Sequence, residues 1–492
     1  MAESVVGREV ERALLDAMLA SKEAELIAIY GRRRVGKTFL IREWVEPKAD
    51  VFLTVTGLKD APAAEQLLLF QREVERVLFD NAPLPPFPSW KVAFETMAAG
   101  LERAAKDKKN RKLVVFLDEL PWLATRRSRL VQALDHTWNT RLSRIPSLRM
   151  ILCGSAAAWM VNELVHAKGG LYNRITRRIH LQPFTLRETK AFLVSRGLRP
   201  KPLDVVDLYM AVGGVPHYLK QMEPGRSAQE NVAYACFSEH GLLRDEYQRL
   251  FASLFDEPEE HEAIVRAVAK RRAGVTRIEI LESTGLSSGG RFASRLAELE
   301  QAGFLSSLRP YQARTKNTLY RLTDEYCWFY LTWIEAAPKG AFARGGRDYW
   351  LTKSRSRGFE SWAGYAFEGI VLKHAAELRR ALGIDAVPCE IASFRHVPKS
   401  RSAATEGAQI DVLFDRADDS INVCELKYGR EPYVVTKAYA RELQTKLEVF
   451  ERVTKTRKKI ILTLVSPRGL VDNAWSRGLV ERVVTIDPLM GL

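Results

Sequence analysis

Gly31-Arg32-Arg33-Arg34-Val35-Gly36-Lys37-Thr38 places two glycines, a lysine and a threonine in the spacing G-x-x-x-x-G-K-T. Those residue types at that spacing can hold a nucleotide. Glycine lets the backbone turn tightly, so that successive N–H groups point inward at a phosphate. The lysine ammonium reaches the β- and γ-phosphates, and the threonine hydroxyl sits on Mg2+. Gly31, Arg34, Val35, Gly36, Lys37, Thr38 and Phe39 are therefore the candidate nucleotide-binding residues. Before them, Leu26-Ile27-Ala28-Ile29-Tyr30 reads as a buried strand. After them a helical pattern begins, and its positive end adds to phosphate binding.

A second group supplies acids. Leu113-Val114-Val115-Phe116-Leu117-Asp118-Glu119 is an apolar run ending in two carboxylates, as expected of a buried strand delivering them to its C-terminal end, where ligands bind in open α/β sheets. Asp118 is placed to hold Mg2+, and Glu119 to polarise the attacking water as general base. Another strand, 149–155, ends in Ser155, which reads equally as a contact to the γ-phosphate or its water and as a helix cap. The basic stretch 169–178 carries Arg174, Arg177 and Arg178. One of these can reach a γ-phosphate of its own chain or of a neighbour, which would need a homo-oligomer; a solvated basic loop is the plainer reading.

A third group lies near the end. Residues 408–414 and 421–428 read as two strands joined by a polar turn. A hairpin centred on Asp418 sets Asp411 against Glu425. Side chains alternate along a strand, so Glu425 and Lys427 share a face and Asp411 points to it. That set suits metal-dependent phosphodiester cleavage. Asp411 and Glu425 would hold Mg2+ or Mn2+, and Lys427 would orient or deprotonate the attacking water. An ordinary exposed hairpin and an inactive nucleic-acid-binding relic are the alternatives.

Several elements must position these groups. A second strand is expected at 51–55, helices at 63–79 and up to 106, and a helical region at 185–222 interrupted by Gly213-Gly214-Val215-Pro216, which reads as a kink beside a nucleotide or as a plain helix–helix turn. Three helices over 259–301, with Thr276 capping the second, and two strands around 303–322 make a winged helix-turn-helix. Ser287, Ser288, Arg291 and Arg295 would face DNA, with Arg309, Arg314 and Lys316 on the wing; a packing role is the alternative. The aromatic helix 325–334 reads as core packing. Glycine-, arginine- and lysine-rich 340–358 reads as a linker, and 362–382 as one long helix.

These motifs carry a resemblance. Val6-Gly7-Arg8-Glu9, Gly31 to Thr38, Leu117-Asp118-Glu119, Gly154-Ser155, Leu171-Tyr172-Asn173-Arg174, Leu181-Gln182-Pro183-Phe184 and Gly213 to Pro216 resemble the archaeal and bacterial P-loop ATPases of the AAA+/STAND assemblage that end in a nuclease-like domain. Asn173 stands where that pattern has glycine. The resemblance implies that Val6, Gly7 and Arg8 lie beside the adenine, that Arg174 and Pro216 lie near the nucleotide, and that a helical lid starts at about Thr185. The late strands resemble the PD-(D/E)xK phosphodiesterase fold, with Ile410 where the name has proline. That resemblance implies that Glu368, on the preceding helix, also faces the metal.

The expected architecture is thus α/β: a P-loop NTPase core with a parallel sheet (1–184), a helical lid (185–256), a winged helix (257–336), a linker (337–358), and a restriction-endonuclease-like α/β domain (359–492). Composition agrees with DNA as partner. Of 492 residues, 75 are Lys or Arg and 60 Asp or Glu, giving a formal net charge of +15, and such an excess favours polyanions. No apolar run reaches the roughly 18 residues of a membrane span, and no secretory pattern opens the chain. Scattered cysteines without a Cys-x-x-Cys pair fit a reducing cytoplasm and argue against structural zinc. Two functions follow as expectations. One is an ATP-regulated enzyme that binds DNA and cleaves it with a metal, in defence or mobile-element biology. The other is a nucleotide-driven switch whose last domain binds nucleic acid or a protein without cutting.

Overall fold

The computed structural model describes residues 4–107, 111–125, 127–165, 170–255, 257–271, 273–313, 317–342, 346–398 and 406–491. Lys108, Lys109, Asn110, Gly169, Arg314 and Lys316 lie outside the described residues. The chain forms two compact units, Met1–Gln182 and Pro183–Leu492.

In the first unit the apolar runs become strands β1 (Glu25–Tyr30), β2 (Val51–Thr56), β3 (Leu113–Asp118), β4 (Leu148–Gly154) and β5 (Arg177–His180). They form a parallel sheet in the order β2-β3-β4-β1-β5. Alternate residues serve opposite faces. Leu26, Met150 and Leu152 enter one core, and Ile27, Ile29, Ile151 and Cys153 another. A sheet buried on both faces reads in sequence as continuous apolar runs, which is why these strands were legible.

The second unit opens with helices Leu186–Ser195, Pro202–Val212, Pro216–Leu219, Ala228–Phe237 and Glu246–Leu254. Thr185 caps the first of them through a reciprocal box with Glu188. A Cβ on Gly214 would stand 1.9 Å from the Phe184 carbonyl, while the Phe184 N–H donates to the Gly214 carbonyl at 2.7 Å. Glycine is the residue that permits this approach of two backbones.

Helices Pro258–Ala269, Arg277–Thr284 and Gly290–Gln301 follow, with β6 (Val275–Thr276), β7 (Leu305–Leu308) and β8 (Leu319–Leu322) in an antiparallel sheet ordered β6-β8-β7. Thr276 caps the second helix with Glu279, and Gly285 ends it at φ 69°. The third helix does not present its arginines freely. Arg291 pairs with Glu257 at 2.6 Å and Glu260 at 3.0 Å. Arg295, largely buried, pairs with Glu257, with Glu260 at 3.3 Å and with Glu298 at 3.2 Å. Both are committed within the module. Ser287 and Ser288 are exposed. Arg309 reaches Glu390 at 2.8 Å.

The expected linker is not a linker. Gly346–Lys353 is a helix, and Trp350 is 1% exposed. Its ring stacks on Phe237 (centroids 5.2 Å apart) and meets Phe329, Trp333 and Phe359 edge-on. Its indole N–H donates to Gln229 at 3.0 Å. The helix expected at 362–382 breaks at His374 into Arg357–Lys373 and Ala375–Ala381. The buried His374 ring accepts the Leu186 N–H at 2.9 Å, capping a donor that the lid helix leaves open.

The last sheet contains β9 (Cys389–His396), β10 (Ala408–Arg416), β11 (Ser420–Leu426), β12 (Lys459–Val465) and β13 (Arg482–Val484), ordered β13-β12-β11-β10-β9. The first two neighbouring pairs in chain order are antiparallel, and β11, β12 and β13 run parallel. Phe367, Ile370 and Val371 of helix Arg357–Lys373 share a core with Val412, Phe414, Cys424 and Leu426. Leu443, Val449 and Phe450 of helix Lys437–Thr454 share another with Leu413, Ile421 and Val423. A carboxylate ties the lid to this sheet. Asp207, 4% exposed, accepts from Tyr428, from Arg430 at 2.9 Å and from Gln229 at 3.1 Å. Burial pushes its carboxyl above the ordinary range.

Candidate functional site

The phosphate loop leaves β1 and enters the helix Lys37–Trp44. Gly31 has φ +149°, and a Cβ there would meet the Leu181 carbonyl at 2.2 Å. Gly36 has φ +94° with nothing within 4 Å of its open side, and Arg34 is also left-handed at φ 72°. These dihedrals curl the loop. Arg8, at φ 58°, is buried and donates to the Val35 carbonyl at 3.1 Å, so the Val6-Gly7-Arg8 turn abuts the loop. Phe39 is half-buried beside them on the helix.

Lys37 Nζ donates to the carbonyls of Gly31 at 2.9 Å and Arg32 at 3.0 Å and to Ser155 Oγ at 2.9 Å. Burial lowers its pKa, and an incoming anion would offset that desolvation. Thr38 Oγ1 donates to Asp118 Oδ2 at 2.7 Å. Ser155 Oγ donates to Glu119 Oε1 at 2.6 Å, and the Ser155 N–H to Glu119 Oε2 at 3.1 Å. The structure thus brings together Lys37, Thr38, Asp118, Glu119 and Ser155 at the C-terminal ends of β1, β3 and β4. Of the two open readings of Ser155, its hydrogen bonds go to the lysine and the acid; Ala156 stands at the N-cap of the next helix.

Arg174 is exposed in a single turn, Gly170–Arg174. Arg177 pairs with Glu25 at 3.3 Å across the β1–β5 edge, a tie within the sheet. Pro216 opens a short helix in the second unit.

In the last sheet, Val412 pairs with Cys424 and Leu413 with Val423. Asp411 and Glu425 lie one position beyond the last of these pairs, where β10 is irregular against β9 between Ile410 and Leu413. Glu425 is 9% exposed. Its carboxylate accepts from Lys446 at 2.6 Å, from Tyr439, and pairs with Lys427 at 3.2 Å. Burial pushes the carboxyl up, and the two lysines and the tyrosine outweigh it, so that it sits below the ordinary range. Asp411 accepts from Gln409 at 2.8 Å and lies 3.7 Å from Arg321 of β8. Glu368 is pushed up to about 8 by burial and by the charges of Asp411 and Glu425, against Arg321 and Lys427.

The expected convergence is therefore electrostatic rather than coordinative. Among the described residues no three carboxylate, histidine or cysteine side chains gather closely enough to hold a metal ion. Physically, Glu425 is drawn to its lysines and Asp411 toward Arg321. Sequence reasoning missed Tyr439 and Arg321. Tyr439 lies two residues into the helix Lys437–Thr454, three positions after the Thr436 cap; Arg321 was read only as part of a wing strand.

Comparisons with known proteins fit the first site. Residues 5–222 match the family described as an ATPase domain predominantly from Archaea. The chain is 24% identical over 387 residues to an uncharacterized protein, MJECL04, of Methanocaldococcus jannaschii, covering 76% of this chain and 78% of that one. Among solved structures it is similar to the Walker-type ATPase PABY2304 of Pyrococcus abyssi, with 18% identity, 66% of this chain and 96% of that one covered, and a TM-score of 0.45. It is also similar to the ORC2 protein of Aeropyrum pernix, with 16% identity, coverage of 72% and 96%, and a TM-score of 0.44. The matched segment spans the phosphate loop, the paired acids and Ser155, and it supports a P-loop ATPase domain over those residues.

Proposed function

We propose that this chain binds and hydrolyses ATP and couples that cycle to DNA binding and metal-dependent DNA cleavage. In the first site Lys37 takes the β- and γ-phosphates in exchange for the loop carbonyls it now holds. Thr38 and Asp118 are oxygen donors already in contact, a set suited to Mg2+; that ion would neutralise charge on the phosphates. Glu119 accepts the proton of the attacking water, and Ser155 aims its carboxylate. Val6, Gly7, Arg8, Arg174 and Pro216 are the remaining residues we assign to the nucleotide.

Ser155→Ala should lower kcat by about 10- to 100-fold, since a hydrogen bond to a charged group is worth about 1.5–3 kcal/mol. ATP affinity should change less, and Ser155→Thr should retain most turnover. Steady-state kinetics with separate nucleotide titrations check this. A fall in KM effects alone would remove Ser155 from the aiming of the base.

Cleavage is supported by one observation: Lys427 pairs with Glu425 at 3.2 Å at the end of β11, and Asp411 lies one position beyond the last β10–β11 pair, Val412 with Cys424. The donor chemistry of Glu368, Asp411 and Glu425 suits a hard cation such as Mg2+ or Mn2+, which would stabilise charge on a scissile phosphate. Lys427 orients the attacking water, and Tyr439 and Lys446 fix the Glu425 carboxylate. The net charge of +15 supports a polyanionic substrate. We read 258–322 as a winged helix that docks against its own chain, because Arg291 and Arg295 are engaged by its own carboxylates.

The failure of three donors to gather favours a second reading, a nucleotide-driven switch whose last domain binds without cutting. Plasmid DNA incubated with Mg2+ or Mn2+ distinguishes them. The parent chain should nick or linearise it, and Glu425→Ala should reduce that at least 100-fold. No cleavage, or cleavage that survives the substitution, leaves the switch.

A further inference from the structure

We propose that Gln66 is a positioning residue for ATP hydrolysis: from a helix that carries none of the nucleotide-binding residues, its buried amide fixes the turn that aims Glu119. This rests on the reading of Glu119 as general base and adds what holds it in place.

Gln66 lies in the helix Ala63–Leu78 and is 0% exposed. A buried amide is costly unless its hydrogen bonds are met, and here they are met by two separate loops. Its Oε1 accepts the Leu58 N–H at 3.1 Å, and its Nε2 donates to the Leu58 carbonyl at 2.6 Å and to the Trp122 carbonyl at 3.2 Å. One side chain thus satisfies both backbone groups of Leu58 and reaches across to Trp122. The Ala61 N–H meets the Leu58 carbonyl only at 3.5 Å, so the amide is the stronger partner there. An apolar side chain could fill the same space; an amide also sets the distance between the two loops.

Those loops meet at the base. Leu58 follows β2 and Trp122 follows β3, parallel neighbours in which Thr56 pairs with Asp118. The Gly57 N–H donates to the Asp118 carbonyl at 2.9 Å. A Cβ on Gly57 would stand 2.6 Å from the Glu119 carbonyl and 2.9 Å from the Leu123 nitrogen, so the exit of β2 lies directly against the Glu119 peptide. The same Glu119 carbonyl accepts the Trp122 N–H at 2.9 Å, closing a turn whose last carbonyl Gln66 holds. Ser155 holds the Glu119 carboxylate, and Gln66 holds the backbone that carries it. Glu119 is left-handed at φ 47°, a conformation that persists where the surroundings dictate it. The bonds of Gln66 end on backbone, so it acts through the turn.

Gln66→Met keeps the length and buried volume of the side chain and removes its hydrogen bonds. It should lower kcat about 10- to 100-fold, since a misplacement of about 1 Å at a reacting group costs about 100-fold, and change affinity for a fluorescent ATP analogue about twofold at most. Amide hydrogen exchange over residues 119–124 of the nucleotide-free chain should quicken. In Glu119→Gln the base is already gone, so adding Gln66→Met should slow the residual hydrolysis no further. Gly57→Ala drives a methyl into the same turn and should give the same results; it carries the test if Gln66→Met does not fold. Parent kcat in Gln66→Met beside a slow Glu119→Gln overturns the positioning role and leaves the base. A loss of nucleotide affinity as large as the loss of kcat, or full additivity of the two substitutions, does the same. Parent turnover in Glu119→Gln overturns the base and the positioning role together.

Discussion

Glu119→Gln should still bind ATP and should hydrolyse it about 10²- to 10⁴-fold more slowly, the range a positioned general base contributes. The geometry makes this substitution unusually clean. Glu119 adopts φ 47°, ψ 49° at the N-cap of the short helix Leu120–Leu123. A non-glycine residue pays for such a conformation with strain of order 1–3 kcal/mol and keeps it where its surroundings dictate it. Here they are Ser155 N–H and Oγ, at 3.1 and 2.6 Å from the two carboxylate oxygens. Glutamine has the same shape and retains an oxygen for one of those donors, so the loop should keep its form while the proton acceptor is lost. Asp118, next in the chain, stays on Thr38. Binding of a fluorescent ATP analogue and single-turnover hydrolysis separate the two effects. Undiminished turnover would transfer the base to another residue.

The largest stability effect should come from Trp350→Ala, at about 3–5 kcal/mol, the range for emptying a large aromatic side chain from a core. Trp350 is 1% exposed, stacks on Phe237 and meets three further aromatic rings. Removing it also strands the Gln229 amide oxygen that its N–H satisfies. The midpoint of denaturant unfolding of the second unit should fall, with the first unit's transition unmoved. Trp475→Ala, at a side chain 44% exposed, should do little and serves as the control.

Trp350 also marks where composition misled. The segment around it is rich in glycine, arginine and lysine, the signature of a tether, yet one tryptophan and one tyrosine turn it into part of a core. The phosphate loop was legible because its chemistry is bound to local spacing: glycine dihedrals, lysine and threonine all fall within eight residues. The β10–β11 register, with Val412 against Cys424, was legible because a hairpin count is local too. β9 was not read, since Cys389-Glu390-Ile391-Ala392-Ser393-Phe394 alternates weakly and edge strands carry few apolar residues. Arg321 was beyond reach for another reason. Its partner lies ninety residues along the chain, since 411 − 321 = 90, and only docking of one module on another brings them together. The ion pairs of Arg291 and Arg295 with Glu257 and Glu260 were beyond reach in the same way, since those acids lie more than thirty positions earlier in the chain.

The Asp207 junction has a consequence for anyone dividing this protein into pieces. Its carboxylate is shared by Tyr428 and Arg430, more than two hundred positions away. Expressing residues 183–358 by themselves would strand an anion in apolar surroundings, and expressing 359–492 alone would bare a tyrosine and an arginine shaped to receive it. Truncation at the apparent domain boundary should yield aggregating fragments, whereas co-expressed halves should reassociate.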